Sequence, residues 1–344
     1  MSNQKHMRYD QNDYDALLAS SIPASLAGTR SMNFDDAEAA SVFFARELDF
    51  VKSQSYDVEY PEFTALSLFP MSSEVDPGAE TITYYSYDKT GMAKIISNYA
   101  TDLPRADVKG KPTTAIIKSI GDSYGYSIQE MRASRMAGKS LDTRKAESAR
   151  YQIDYLNNKI AWNGDAETGL RGVLSKDNDV PLYVPATGAK GSTKWADKTE
   201  DEILADITGM LKQMATVTKK VEKPDTLALS ADAYIEIQNK RIEGTATTVL
   251  KYIQDNIPDI KQIVSCPELD ADSVETNPYA AASNGKAVAL LFKNDARKLS
   301  IENPLPFMQY PIQTQGLEVV VPCEARTAGA IIYYPMSLLI AVGI

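Results

Sequence analysis

A long amphipathic stretch near the middle of the chain constrains its fold more than any other feature. Its apolar residues recur at alternating steps of three and four positions: Ala146, Ala149, Ile153, Leu156 and Ile160. This period predicts one α-helix of about 22 residues, roughly 33 Å long, with Asp142 as its N-cap and Gly164 just beyond its last turn. We expect a core-facing helix that also acts as a girder of its domain.

The glycines that follow this helix admit three interpretations: a phosphate cradle, a catalytic loop or a helix exit. They lie in the segment NGDAETGLRGVLS, residues 163–175. Phosphate loops precede a helix, so that the helix N-terminus faces the anion, whereas these glycines follow one. We therefore interpret Gly164 as the residue that ends the helix, and Gly169 and Gly172 as turn or close-approach positions.

Length and charge restrict the class of protein. A chain of 344 residues exceeds the size at which one core usually keeps growing, so we expect one large or two intertwined domains. Its 36 basic and 46 acidic residues give a net charge of −10, which lacks the electrostatic signature of a nucleic-acid binder. Such a protein could still enclose nucleic acid without gripping it.

The residues that usually carry catalysis or metal binding are scarce. The only histidine, His6, lies in a polar N-terminal segment, and Cys266 and Cys323 sit far apart in apolar surroundings typical of buried, reduced thiols. No P-loop, G-x-S-x-G or HExxH pattern occurs. We predict no catalytic residues, no metal and no cofactor; an enzyme that uses only Asp and Glu remains an alternative.

Neither end of the chain reads as a membrane or export element. The first 20 residues lack the apolar core of a secretory signal. The C-terminal run AGAIIYYPMSLLIAVGI falls short of the roughly 20 apolar residues of a bilayer span and contains Pro335, so it predicts buried strands.

The sequence of the first third of the chain predicts an N-terminal arm, a helix and a β-ribbon. Residues 1–35 are polar and small, and a capping box at Asp35 and Glu38 predicts a helix over about 36–52. Within 76–119, alternating Thr, Ile and Tyr residues from Thr81, a Pro/Gly-rich tip and a return strand predict a long hairpin. An isolated ribbon is marginal in water, so we expect this one to lie on another chain. The candidate contact residues at its tip are Asp102, Pro104, Arg105, Lys109 and Lys111.

The second half alternates helices and strands before returning to strands alone. Ser127 begins a short helix that ends at Gly138, and Thr199 with Glu202 forms a capping box before an amphipathic helix. Strands are predicted at 225–230, 260–269 and 286–295, with helices between them, so that 176–295 reads as a compact module able to fold largely alone. In the strands of 296–344, Gly316 and Ala328–Gly329 are predicted hairpin turns.

This order of elements resembles the major capsid proteins of tailed bacteriophages, whose fold is shared with the encapsulin nanocompartments. The segment after the long helix carries the family-like pattern, in which Gly-Asp ends the helix and a G-(I/L)-x-G-(L/V)-L element follows. The matching residues are Gly164, Asp165, Gly169, Leu170, Gly172, Val173 and Leu174. The resemblance implies an α+β fold and a structural, non-enzymatic shell subunit.

The resemblance also implies a role for each segment. Residues 1–35 would be an N-terminal arm, 36–75 would lead into the peripheral domain, and 76–119 would be the extended loop that reaches over a neighbouring subunit. Residues 120–175 would form the peripheral domain with its spine helix, 176–295 the axial domain, and 296–344 strands that return to the peripheral domain.

Partners and location follow from the same resemblance. The subunit would assemble with itself into pentamers and hexamers of an icosahedral virion shell, in the host cytoplasm. That shell would enclose double-stranded DNA without sequence-specific binding, and no membrane is involved. A portal is implied, scaffolding and decoration proteins are possible partners, and an encapsulin-like compartment shell is the alternative. A lysine crosslink in the extended loop is not expected, because exposed ribbons commonly carry lysines.

Two polar segments of the 176–295 module are candidate axis loops. Residues 243–248 and 270–285 are small, polar and free of apolar periodicity. One sequence that serves both five-fold and six-fold axes needs adaptable contacts there, which loops provide more readily than helix faces. The candidate residues are Gly244, Thr245, Asn277, Pro278 and Tyr279.

Overall fold

The computed structural model describes residues 61–95, 105–137, 144–282 and 287–344. The predicted arm, the helix predicted at 36–52 and the part of the ribbon tip that holds Asp102 and Pro104 lie outside these residues. Residues 63–344 form one compact unit.

Seven helices of five or more residues are described. They are α1 (Thr64–Leu68), α2 (Ile128–Ala137), α3 (Arg144–Asn163), α4 (Glu200–Val217), α5 (Ala231–Asn239), α6 (Val249–Asn256) and α7 (Pro278–Ala282). The predicted long helix is confirmed as α3. The predicted capping box is confirmed at the start of α4, where Thr199 accepts from the Glu202 amide and the Glu202 carboxylate accepts from the Thr199 amide.

The described strands fall into three sheets and one ribbon. In chain order they are β1 (Met71–Ser72), β2 (Thr81–Thr90), β3 (Asp107–Ile116), β4 (Lys118–Ser127), β5 (Gly164–Asp165), β6 (Leu170–Arg171), β7 (Leu182–Tyr183), β8 (Thr226–Leu229), β9 (Gln262–Ser265), β10 (Val288–Phe292), β11 (Leu299–Glu302), β12 (Leu305–Gln309), β13 (Gln313–Gln315), β14 (Glu318–Thr327), β15 (Gly329–Ile332) and β16 (Leu338–Val342).

The first sheet has the strand order β7-β16-β10-β8-β9 and is buried on both faces. Alternate residues of β10 illustrate this, since Leu290 and Phe292 join one apolar cluster while Ala289 and Leu291 join another. A strand covered on both faces needs no polar alternation, which explains its continuous apolar sequence.

The last strand of the chain corrects two predictions. Residues 296–344 were expected to return to the peripheral domain, but β16 lies between β7 and β10 in the first sheet. The 176–295 module therefore does not contain its own sheet completely. A buried strand carries no sequence mark of the sheet it joins, because apolar burial is the same in either.

Helix α3 lies between two cores. Ala149, Ile153 and Ile160 pack against the third sheet, in which β14 pairs with β12 and β13 along one edge and with β4 along the other. Trp162 is fully buried in a separate cluster, with its ring 5.1 Å from that of Phe69. The predicted apolar stripe is wrong at Leu156, which is 40% exposed.

The second sheet, β1-β11-β15-β6-β5, receives the segment that follows α3. The predicted turn at Gly316 is confirmed, because β13 and β14 pair directly across it. The predicted hairpin at Ala328–Gly329 is wrong. There β14 leaves the third sheet and β15 enters the second, so the chain changes sheets.

Candidate assembly surfaces

The segment after α3 folds back onto the end of the helix. The Ala161 carbonyl accepts from the Val173 amide and the Trp162 carbonyl from the Leu174 amide, each at 2.8 Å. The Ser175 hydroxyl donates to the Asn163 carbonyl, also at 2.8 Å. These three carbonyls belong to the last turn of α3, which otherwise leaves its final carbonyls without partners.

Close backbone approach explains two of the three glycines. Gly164 has φ +75°, and a Cβ there would lie 2.5 Å from the Leu170 carbonyl oxygen and 2.6 Å from the Gly172 nitrogen. A Cβ on Gly172 would meet the Gly164 nitrogen. Gly169 differs: it has φ +78°, but a Cβ there would touch only the end of the Ile116 side chain, at 3.6 Å.

This geometry leaves the segment few groups with which to hold a phosphate. Its amides at Val173 and Leu174 bond to helix carbonyls, and the Gly172 amide bonds to the Ser175 hydroxyl at 2.8 Å. Phosphate loops present unpaired amides at a helix N-terminus. The described contacts instead make this segment a cap that joins α3 to the second sheet.

Strands β2 and β3 form the predicted ribbon, in register from Thr81 opposite Ile116 to Thr90 opposite Asp107. Among its described residues from 85 to 112, none is buried. Of the candidate tip residues, Arg105, Lys109 and Lys111 are all exposed. Lys109 pairs across the ribbon with Asp88, and Lys111 with Ser86.

Only the root of the ribbon is held by the described part of the subunit. The Ile117 amide donates to the Glu80 carbonyl at 2.9 Å, and the rings of Tyr84 and Tyr333 meet edge-on at 5.0 Å. Arg326 of β14 donates to the Pro77 carbonyl before the ribbon starts. Beyond these contacts the ribbon extends without a described core.

Residues 243–246 of the first candidate axis loop are exposed, and Thr247 and Thr248 are half-buried. Gly244 has φ +73°, and a Cβ there would meet no atom within 4 Å. Thr245 is exposed and bonds only locally, through its amide and hydroxyl to the Ile242 carbonyl at 3.0 Å. The nearest tether is at Glu243, whose amide donates to Glu200 at the start of α4 at 3.2 Å.

The described part of the second candidate loop, 270–282, is tightly packed, unlike 243–248, and its place at a symmetry axis stays a prediction. Asn277 is fully buried; its side-chain amide donates to the Leu269 and Asp270 carbonyls, and its Oδ1 accepts from the Tyr279 amide. Tyr279 is buried, and Pro278 is half-buried at the start of α7. The small polar residue Asn277 satisfies backbone groups inside a tight turn.

Residue Glu275 fastens the same segment to α3. Its carboxylate accepts from the Tyr155 hydroxyl at 2.5 Å and lies 3.7 Å from the Lys159 ammonium. Its carbonyl accepts from the Asn163 side chain at 3.2 Å. These contacts hold the segment 270–282 against α3.

A buried carboxylate that the sequence analysis missed joins three elements nearby. Glu268 is 5% exposed and accepts from the Thr64 amide and hydroxyl, at 3.1 and 2.7 Å, and from the Asn158 side chain at 3.0 Å. Asn158 in turn accepts from the Ala65 amide at 3.0 Å. The adjacent Asn157 and Asn158 in this amphipathic helix were the available signal, since buried amides need partners.

The cysteines are free and buried, as predicted. Burial, reinforced by the nearby Glu268 carboxylate, raises the pKa of the Cys266 thiol to about 12, which keeps it protonated and unreactive. Within the described ranges, His, Cys, Asp and Glu side chains form no group of three that could hold a metal ion. No described helix combines the length and apolar character needed to cross a membrane.

The sequence model of the major capsid protein family matches residues 91–344, which include β3, the α3 exit and every strand of the three sheets except β1. The chain belongs to the major capsid protein family. It is a structural subunit of phage-type shells, and the family places it in the virion. A comparison with curated proteins gave no match.

Solved capsid structures show the same fold at low sequence identity. The chain is similar to the capsid of Myoviridae phage XM1, with TM-score 0.72 and 14% identity over 89% of this chain and 100% of that one. It is also similar to the capsid of a native GTA particle, with TM-score 0.62 and 10% identity over 90% and 99% of the two chains. A chain from Mycobacterium phage Bobi gives TM-score 0.58 and 15% identity over 87% and 96%. The predicted capsid fold is confirmed.

Proposed function

We propose that this major capsid protein assembles into pentamers and hexamers of an icosahedral shell that encloses the double-stranded DNA of a tailed phage, without catalysis. The ribbon carries the proposal. Each strand has ten paired residues, none of the described residues from 85 to 112 is buried, and an isolated two-stranded ribbon is marginal in water. A neighbouring copy in a shell would supply the missing support.

Each segment would have a separate structural role in the shell. Residues 76–119 reach over a neighbour, and 120–175 with most of 296–344 form the peripheral domain around α3. Residues 176–295, completed by β16, form the axial domain around the five-fold and six-fold axes. The cap at Gly164 and Gly172 would hold α3 against the second sheet when neighbouring subunits bind the ribbon.

The charge of the chain supports enclosure rather than adhesion. A subunit with net charge −10 repels DNA phosphates, so a wall of such subunits would not clamp a packaged genome. We propose assembly in the host cytoplasm, with a portal and with scaffolding or decoration proteins as possible partners.

Electron microscopy of the purified protein tests the proposal. We expect closed shells from the wild-type chain, and shells that hold nuclease-protected double-stranded DNA when they are taken from infected cells. Replacing 85–112 by a short Gly/Ser linker should leave the far-UV circular dichroism of the body unchanged and abolish shells. Shells filled with enzyme cargo and free of DNA would support a compartment instead, and a small soluble species under all conditions would contradict a shell.

A further inference from the structure

The register of the ribbon sorts its residues onto two unlike faces. Residues directly opposite each other in an antiparallel pair share a face, and successive residues alternate. The tyrosine face consists of Thr83, Tyr85, Tyr87 and Lys89 from β2 and Val108, Gly110, Pro112 and Thr114 from β3. The charged face consists of Ser86, Asp88 and Thr90 opposite Lys111, Lys109 and Asp107.

The root of the ribbon fixes which face is turned away from the subunit. Tyr84 lies on the same side as the charged face, and its ring packs on Tyr333 of the body. Its half-buried neighbours on that side are Ile82, Thr113 and Ala115. The residues of the tyrosine face, on the other side, are all exposed. At the root, Ile116 on that side approaches Gly169 of the body.

Side chains on the tyrosine face form a broad exposed surface. Tyr85 and Tyr87 are 61% and 70% exposed, and their rings run nearly parallel with centroids 6.4 Å apart. Gly110 allows the second ring to lie flat across the ribbon, because a Cβ there would be 3.0 Å from the Tyr87 ring. Val108 extends the surface and is 57% exposed. Tyrosine is enriched in protein interfaces, where its ring is covered and its hydroxyl reaches a polar partner.

Charge selects the same face for contact between copies. Two chains that each carry −10 repel, and the only charge on the tyrosine face is the single cation of Lys89. The charged face holds two carboxylates and two ammonium groups, which would lose hydration if they were covered. We propose that a second copy of this chain covers the tyrosine face in the shell, while the charged face stays in water. This inference rests on the proposed shell function.

Lysine acylation resolved by mass spectrometry tests the two faces within one ribbon. Lys89 belongs to the tyrosine face, whereas Lys109 and Lys111 belong to the charged face, and all three are exposed in the subunit. In shells we expect Lys89 to react at least tenfold more slowly than in dissociated subunits, with Lys109 and Lys111 within twofold of their subunit rates. Protection of Lys109 and Lys111 with Lys89 still reactive would overturn the assignment, as would equal rates at all three.

A pair of charge-neutral double variants gives a second measurement. Tyr85→Ser with Tyr87→Ser removes the tyrosine face, and Asp88→Ser with Lys109→Ser removes a cross-strand pair from the charged face. We expect the tyrosine variant to raise the subunit concentration needed for assembly at least tenfold, and the control to change it less than twofold, with unfolding midpoints unchanged. Equal or reversed effects would overturn the inference. If the wild-type chain itself forms no shells, the proposed function fails and this inference with it.

Discussion

Gly164 and Gly244 have nearly the same left-handed backbone, with φ +75° and +73°, but very different surroundings. A Cβ on Gly164 would collide with the Leu170 carbonyl, the Gly172 nitrogen and the Ser175 hydroxyl, whereas a Cβ on Gly244 would meet nothing. Substitutions at the two positions therefore distinguish the conformational cost of a side chain at positive φ from the cost of a steric clash with neighbouring atoms. The sequence could suggest the first at a helix end, but not the second.

Alanine at each position measures both costs. We expect Gly244→Ala to lower the free energy of unfolding by about 1 kcal/mol, the conformational term alone. Gly164→Ala should lower it by about 1 to 3 kcal/mol more, as overpacking typically does, and should also reduce assembly. Urea unfolding of dissociated subunits gives both values. Equal losses would show that the segment after α3 yields to a side chain, and that the close approach is not a constraint.

Asp270 is a carboxylate whose environment favours its neutral form. Its Oδ1 accepts from the Ala231 amide at the start of α5, at 2.6 Å. Burial, with the nearby Asp232 and Asp272 carboxylates, raises its pKa to about 6. Hydrogen bonds from the backbone amides of Ala231 and Asp232 lower the pKa, but by less than the other effects raise it. The folded state therefore holds this proton more tightly than the unfolded state. The resulting stability is present below about pH 4, the unfolded pKa, and is lost as the pH rises through 6.

Asp270→Asn keeps the acceptor oxygen and removes the charge. Wild type and variant should therefore have equal urea midpoints near pH 4, and the variant should become the more stable of the two as the pH rises to 7.5. The difference between the two midpoints is the measurement, because every other titrating group is shared. Parallel midpoints from pH 4 to 7.5 would mean that Asp270 ionises in the folded subunit as it does in the unfolded chain.

At the scale of elements, the sequence predicted the helix starts and turns that depend on interactions between residues close together in the chain. The capping box at Thr199, the start of α2 at Ser127 and the turn at Gly316 were all predicted, because each depends on residues a few positions apart. The return strand predicted within 76–119 covers only the first residues of β4, since residues 121–127 are rich in Gly and Ser. Its partner β14 lies about 200 residues along the chain, and that pairing makes it a strand.

The faces of the ribbon show the same limit. Alternation in the sequence was visible on β2, but which residue of β3 lies opposite Tyr87 depends on the register, and a slip of one residue exchanges the faces. The long tip between the strands gives no turn signature that fixes it. The tyrosine face could therefore be found only once Gly110 was placed opposite Tyr87.

Strand β16 gives the element-scale prediction. Ile340 is fully buried in the first sheet, opposite Leu290 of β10 and Leu182 of β7. We expect Ile340→Ala to lower the free energy of unfolding by about 2 to 5 kcal/mol and to weaken the whole 176–295 module. Ile235→Ala, the same change at a position that is 51% exposed, should cost well under half as much. Equal small losses would place β16 at the margin of the module instead of inside it.

At the scale of the whole molecule, the long helix α3 connects the sheets and the segment 270–282. Helix α3 packs on the third sheet through Ile153, inserts Trp162 into the core shared with the first sheet, and binds 270–282 through Glu275. The order of elements and the glycine motif after α3 were enough to predict the family, and the family match over residues 91–344 confirms it. The contacts that join the elements were not predictable, since Glu268 and Glu275 look like any surface carboxylates until their partners are known.

In the proposed shell of pentamers and hexamers, these contacts would decide which parts of the module can adapt between five-fold and six-fold environments. The loop 243–248 is exposed, bonds mostly within itself and has Gly244 at its tip, whereas 270–282 is buried around Asn277 and tied to α3. In a shell reconstruction with independent copies of the chain, we expect 243–248 to lie near the symmetry axes and to differ between pentamers and hexamers. Helix α4 and 270–282 should superpose on α3 in every copy. The opposite result, with 243–248 identical everywhere and 270–282 rearranged, would mean that subunit contacts override the Glu275 and Asn277 bonds, and the adaptable element would then lie elsewhere.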